Sequence, residues 1–116
     1  MRLQDAYRVT TFVPPEQLDA VLEAIIAQAP LTYGPYDKSA WWSSVGTEQF
    51  EPRAGANPTV GEIGKTERVP TIRLEFTIPR DDELLAQVLE ALLRAHPWQE
   101  PAVFIDSTTI TVSSGS

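Results

Sequence analysis

Two stretches of this chain repeat one order of elements, and that echo limits the available folds more than any single motif. Phe12-Val13-Pro14 leads to Ala20-Val21-Leu22-Glu23-Ala24-Ile25-Ile26, and Thr77-Ile78-Pro79 leads to Gln87-Val88-Leu89-Glu90-Ala91-Leu92-Leu93. The offset is 65 residues from Pro14 to Pro79 and 67 from Leu22 to Leu89, so the halves drift by two. A strand, a proline and a helix recur in the same sequence, which two chance Leu-Glu-Ala triplets would not produce. Two βαβ halves make a βαββαβ chain. Each helix carries one apolar stripe, so both must cover the same face of a four-stranded antiparallel sheet. The reading is a ferredoxin-like α+β fold.

The elements follow from local pattern. Tyr7 to Val13 is rich in β-branched and aromatic residues and reads as the first strand. Pro14-Pro15-Glu16 opens a helix whose stripe is Leu18, Val21, Leu22, Ile25, Ile26 and Ala29, and Pro30 closes it. Gly34-Pro35-Tyr36-Asp37 reads as a turn. Ser39 to Val45 reads as a strand in which Trp41 and Trp42 point to opposite faces, one toward the helices. Phe50 is placed in a short return strand, a hairpin arm through Gly46-Thr47. From 52 to 66 the chain is loop. Ile72, Leu74, Phe76 and Ile78 then alternate with polar neighbours as a half-buried strand. Asp81, Asp82 and Glu83 charge the first turn of a second helix with the stripe Leu84, Leu85, Val88, Leu89, Leu92 and Leu93. That helix stops near His96-Pro97. Ala102 to Ile105 is the fourth strand, Ile110 to Val112 an extension or added edge, and the Ser-Gly-Ser end a frayed terminus. One domain over residues 1–116 is expected, with its core at 7–106 and an extension at 107–116.

Composition sets bounds on function. The 116 residues hold nine Lys and Arg against sixteen Asp and Glu, a net charge of −7. That balance argues against nucleic acid and anionic membranes, which need a basic face. No apolar run is long enough to span a bilayer, and no leader pattern is visible. The absence of cysteine removes disulfides and thiolate metal sites and fits a cytoplasmic location.

The sheet face away from the helices is expected to carry Tyr7, Thr11, Trp41 or Trp42, and Arg73 or Glu75. A bare sheet bearing an indole is an association surface, so Trp41 and Trp42 are assigned to an oligomer interface, with symmetric self-assembly as the economical outcome.

Gly46-Thr47-Glu48-Gln49-Phe50-Glu51-Pro52, Gly55-Ala56-Asn57-Pro58-Thr59-Val60-Gly61-Glu62-Ile63-Gly64-Lys65 and His96-Pro97-Trp98-Gln99-Glu100-Pro101-Ala102 resemble the middle domain of YqfO-type proteins of the NGG-interacting-factor family. The last is similar to that domain's His-Pro-Tyr-Glu-Glu-Pro-Ala element, and the resemblance runs from about Tyr7 to Ile105. It implies a PII/CutA-like domain, here expected to be a stand-alone copy, and trimers of the kind CutA forms. Two departures stand out. Ser39-Ala40 replaces a common Cys-Ser, and the tail passes Asp106.

Candidate chemistry is sparse. Thr59 stands where a phosphate loop needs glycine five residues before Gly64, and a strand follows instead of a helix, so that motif is absent. The remaining choices for the loop are a ligand loop, with Gly55, Asn57, Gly61 and Gly64 giving backbone access to a small molecule or anion and Lys65 its counter-charge, or a structural loop packed on a neighbouring subunit. His96, the single histidine, and Glu100 join the ligand set. His96 alone does not make a metal site without symmetry mates. Glu48, Glu51, Glu62 and Glu67 lack the spacing of a calcium loop. No nucleophile and base pair is present. The expectation is a non-catalytic trimeric module that senses a small ligand, with no resident cofactor or metal. The alternatives are a CutA-like divalent-cation binder and an assembly module docking a partner protein.

Overall fold

The computed structural model describes residues 1–113. Five strands and two helices follow one another as β1 (Arg2–Val13), α1 (Leu18–Gln28), β2 (Trp41–Trp42), β3 (Gly46–Phe50), β4 (Glu67–Pro79), α2 (Asp82–Ala95) and β5 (Val103–Val112). A single 3-10 turn at Pro15–Gln17 precedes α1, because two prolines fix φ before the first full turn can close. Asp81 caps α2 by accepting the Leu84 N–H at 3.1 Å. The sheet is antiparallel throughout and ordered β2-β4-β1-β5, with β3 also on β4. This is the expected ferredoxin-like arrangement.

Register sets the faces. Tyr7, Val9, Thr11 and Val13 of β1 lie opposite Ile78, Phe76, Leu74 and Ile72 of β4, and directly paired residues share a face. Those two rows join Val21 and Ile25 of α1 and Val88 and Leu92 of α2 in one core. Tyr7 and Thr11, expected on the open face, therefore belong to the helix side. Thr11 is buried and its hydroxyl donates to the Ala102 carbonyl at 2.9 Å. The Tyr7 hydroxyl donates to Asp82. Phe12 takes the open face instead. A threonine inside and a phenylalanine outside invert the usual pattern, which is why local composition misleads here.

β2 and β3 correct the expected hairpin arm. Both run antiparallel to β4 and so run in one direction. Trp42 pairs with Leu74 and Gly46 with Thr71, so three residues (43–45) face two (72 and 73) across a one-residue bulge. Ser43 N–H donates to the Arg73 carbonyl at 3.0 Å, and the Ser43 hydroxyl oxygen accepts the Arg73 N–H at 2.9 Å. The side chain thus fills a ladder position that the bulged backbone vacates. Trp41 pairs with Glu75 on the open side and Trp42 with Leu74 on the other, but both indoles stay about half exposed, at 50% and 48%.

The long strands exceed their expected lengths. β1 begins at Arg2 because residues 2–7 pair with 107–112, which makes most of the supposed C-terminal extension a continuation of β5. β4 starts at Glu67 because β3 supplies it with a partner; Pro70 is tolerated where β4 has lost its β1 neighbour. The Ser-Gly-Ser terminus lies outside the described residues. On α2, Ala91 rather than Leu93 completes the buried stripe, and Leu93 is 49% exposed.

Replacing Leu74 with Ala should cost about 2–5 kcal/mol, whereas Leu93→Ala should cost less than about 1 kcal/mol. Urea unfolding of the two variants measures the contrast; equal losses would contradict the buried stripe.

Candidate functional site

The turn after α2 is held by its histidine. Pro97 stops the helix and sends His96 into extended backbone at φ −71° and ψ 135°. The residue is 5% exposed. Its Nδ1 accepts the Trp98 N–H at 3.1 Å, which leaves Nε2–H to donate to the Phe12 carbonyl at 2.8 Å. Desolvation lowers the pKa of the imidazole, and the bond to Phe12 opposes that shift. Both nitrogens are spent on the fold. His96 is therefore a staple between the turn and the end of β1, with both ring nitrogens turned to backbone partners.

That staple positions Trp98, whose ring lies 5.4 Å from His96 and 5.9 Å from Phe50 at the end of β3. The 51–66 loop closes over the same place. Thr59 Oγ1 donates to the Pro97 carbonyl at 3.0 Å, and Asn57 N–H donates to Gln99 Oε1 at 2.9 Å. Gly64 N–H donates to the Pro52 carbonyl at 2.7 Å. At Gly61, φ is +92° and a Cβ would sit 2.8 Å from Glu67 Cγ and 3.5 Å from Phe50, so only glycine lets the loop lie this close. The loop and the turn, 35 residues apart in sequence (Gly61 to His96), form one structure.

Between them is a pocket of about 210 Å³. Phe50, Trp98, Pro58 and Val60 give it apolar walls, while Glu48, Glu51, Gln99 and Glu100 are its polar lining. No lysine, arginine or histidine lines it. Lys65 is committed to an exposed ion pair with Glu62 at 2.9 Å, so the counter-charge expected for an anion is not in the pocket. Gly55 shapes the turn from Arg53 to Ala56 and has open space around it. Of the expected ligand set, Glu100 alone lines the pocket; Asn57, Gly61 and Gly64 shape the loop.

Glu48 is the electrostatic anomaly. Its Oε1 is buried without a hydrogen-bond partner. Burial raises its pKa above the ordinary carboxylate value, and a hydrogen bond from Thr71 pulls the other way. The side chain lines both the Trp98 pocket and a second depression of about 320 Å³ on the open sheet face, beside Phe12, Phe104 and Arg73. On that face Phe12 and Phe104 meet edge to face at 6.4 Å, and the Arg73 guanidinium stacks on Trp41 at 4.8 Å. Phe104, 58% exposed, escaped the sequence reading because its strand has no clean alternation. Among the described residues no group of three or more His, Cys, Asp or Glu could hold a metal ion. No described helix is long and apolar enough to cross a membrane.

No protein-family model matches the chain. A curated relative, the GTP cyclohydrolase 1 type 2 homolog of Mycobacterium leprae, is 42% identical over 91 residues, which is 78% of this chain and 23% of that protein. The Bacillus subtilis protein of the same description is 34% identical over 95 residues, 82% and 25% of the two chains. The chain thus spans about a quarter of the length of the curated relatives it matches. Among solved structures, a Bacillus cereus protein related to NIF3 matches with TM-score 0.74 and 28% identity, over 93% of this chain and 27% of its own. The divalent ion tolerance protein CutA1 of Ehrlichia chaffeensis matches with TM-score 0.63 and 14% identity over 90% and 82%. CPII of Thiomonas intermedia, a nitrogen regulatory PII-like protein bound to ADP, AMP and bicarbonate, matches with TM-score 0.56 and 13% identity over 95% and 97%. The chain resembles a segment of NIF3-related proteins, and its fold is that of CutA and PII-like proteins.

The buried histidine makes stability depend on pH. Its folded pKa lies below the ordinary value of 6.5, so the unfolded chain takes up a proton that the fold resists. The stability contributed by neutral His96 is complete above about 6.5 and is lost as pH falls through the folded value. Glu48 has the opposite sign, since a raised carboxyl pKa favours the fold when protonated. Urea midpoints measured from about pH 7.5 down to about pH 5 should fall more steeply for the parent chain than for His96→Gln. Parallel profiles would remove the staple.

Proposed function

We propose that this chain, with the fold of CutA and PII-like proteins and a sequence resembling a quarter-length segment of the GTP cyclohydrolase 1 type 2 homologs, is a non-catalytic trimeric module that senses a small ligand. The observation that carries this reading is the uncovered sheet face. Phe12, Phe104 and Trp41 present aromatic surface there, edged by Arg8, Arg73 and Glu75. Arg8 and Glu75 approach to 3.8 Å, and the Thr10 hydroxyl donates to Glu75 at 3.1 Å, so the charged groups are already organised around the aromatic patch. An ordered, one-sided apolar surface of this kind favours self-association. Closed symmetry around three copies is what the CutA resemblance implies.

The ligand reading rests on the Trp98 pocket, which opens beside that face and shares Glu48 with it. Assembly and ligand occupancy would act on one carboxylate, which suits a regulatory module better than a catalytic one. Both nitrogens of the single histidine are engaged by backbone groups, which does not favour a nucleophile-and-base pair built on it. A cytoplasmic setting fits a chain without cysteine.

Size-exclusion chromatography with light scattering should give the mass of three chains at micromolar concentration. Trp41→Glu combined with Phe104→Glu should shift it to the mass of one chain while leaving the circular dichroism spectrum unchanged. A parent chain that elutes as a monomer defeats the assembly reading.

A further inference from the structure

We infer that the pocket between the 51–66 loop and the 96–101 turn takes a small organic cation, a protonated amine or a guanidinium, with Glu48 as its counter-ion and Trp98 and Phe50 as its aromatic walls. This rests on the ligand-binding reading above and names the chemical class of the ligand.

Three independent observations point the same way. First, Glu48 lines the pocket with a carboxylate that packing holds partly away from solvent. A charged N–H donor entering the pocket would supply the counter-charge that solvent supplies less well there. Second, the pocket has an aromatic wall, Trp98 packed against Phe50 with ring centroids 5.9 Å apart and a tilt of 51°. Aromatic faces attract cations, and indole does so best. Third, the ionisable lining is uniformly acidic, with Glu51 and Glu100 adding to Glu48 and no basic group opposing them. A phosphate or carboxylate would meet repulsion on entry.

The same geometry separates an organic cation from a metal ion. A hard cation needs several oxygens converging on one point, and the described residues offer no such group. Carboxylates spread around an aromatic wall instead suit a cation whose charge is dispersed over several N–H donors. Guanidinium meets this best, since its planar fork can stack on Trp98 and donate to Glu48 together. The volume of about 210 Å³ lies below the roughly 300–1,000 Å³ of pockets for drug-sized ligands, so the occupant is a compact one.

Nitrogen-15 correlation spectra of the whole chain test this, with the Trp98 indole resonance identified by its loss in Trp98→Phe. Ethylguanidinium chloride and n-butylammonium chloride should each shift the Trp98 indole and the Asn57 and Thr59 amides saturably. Sodium butyrate and 1-butanol at equal concentration should not. The stronger response among the two cations identifies the head group. Glu48→Gln, close to isosteric, should weaken the binding by about tenfold or more. Glu100→Gln should weaken it less, since that group is solvated. Equal shifts with butyrate or butanol, undiminished binding in Glu48→Gln, or saturation by calcium or zinc at lower concentration would each overturn the inference. Light scattering on the same samples separates the two proposals. A trimer that ignores both cations removes the cation inference alone, and a monomer that binds them removes the trimeric assembly alone.

Discussion

The antiparallel pairing of β1 with β4 is the constraint from which the rest of the molecule follows. It sets Val9, Thr11 and Val13 beside Phe76, Leu74 and Ile72, and that double row can be buried only if both helices lie over it. Slipping the register by one residue would send every one of these side chains to the wrong face. Because the helices occupy one side, Phe12, Arg73 and Phe104 are left on the other. The open face is thus the geometrical remainder of a correctly built core.

A second tie converts that sheet into a site. His96 joins the end of α2 to the end of β1 through the Phe12 carbonyl. With that tie in place, the backbone that follows carries Trp98 toward β3 and receives the loop through Thr59 and Asn57. His96, expected in the ligand set, holds up one wall of the pocket for which a ligand is proposed. The pocket is lined by carboxylates, and its charge resides in loop and turn side chains that the fold does not specify.

Glu48 connects the two surfaces. It lies on β3 just past the bulge at residues 43–45, within reach of Thr71 on β4 and in the lining of both depressions. Were the β2 register to continue without that bulge, Thr47 would stand opposite Val69 where Glu48 does, and Glu48 would turn to the other face. A single inserted residue in an edge strand therefore decides which chemistry faces the pocket.

The order of strands, the two helices and their stripes were legible in the sequence because each rests on local periodicity and on prolines that interrupt it. The acidity of the chain and the three segments that carry the family resemblance were equally plain. The faces of β1, the bulge, the joining of residues 107–112 to β5 and the occupation of both His96 nitrogens were not, because each is settled by a partner far away in sequence. Glu48 and Glu100 could be named from the chain as acidic residues near a loop and a turn. That Glu48 ends with one buried, unpaired oxygen was decided by tertiary packing alone, since desolvation depends on which distant atoms exclude water.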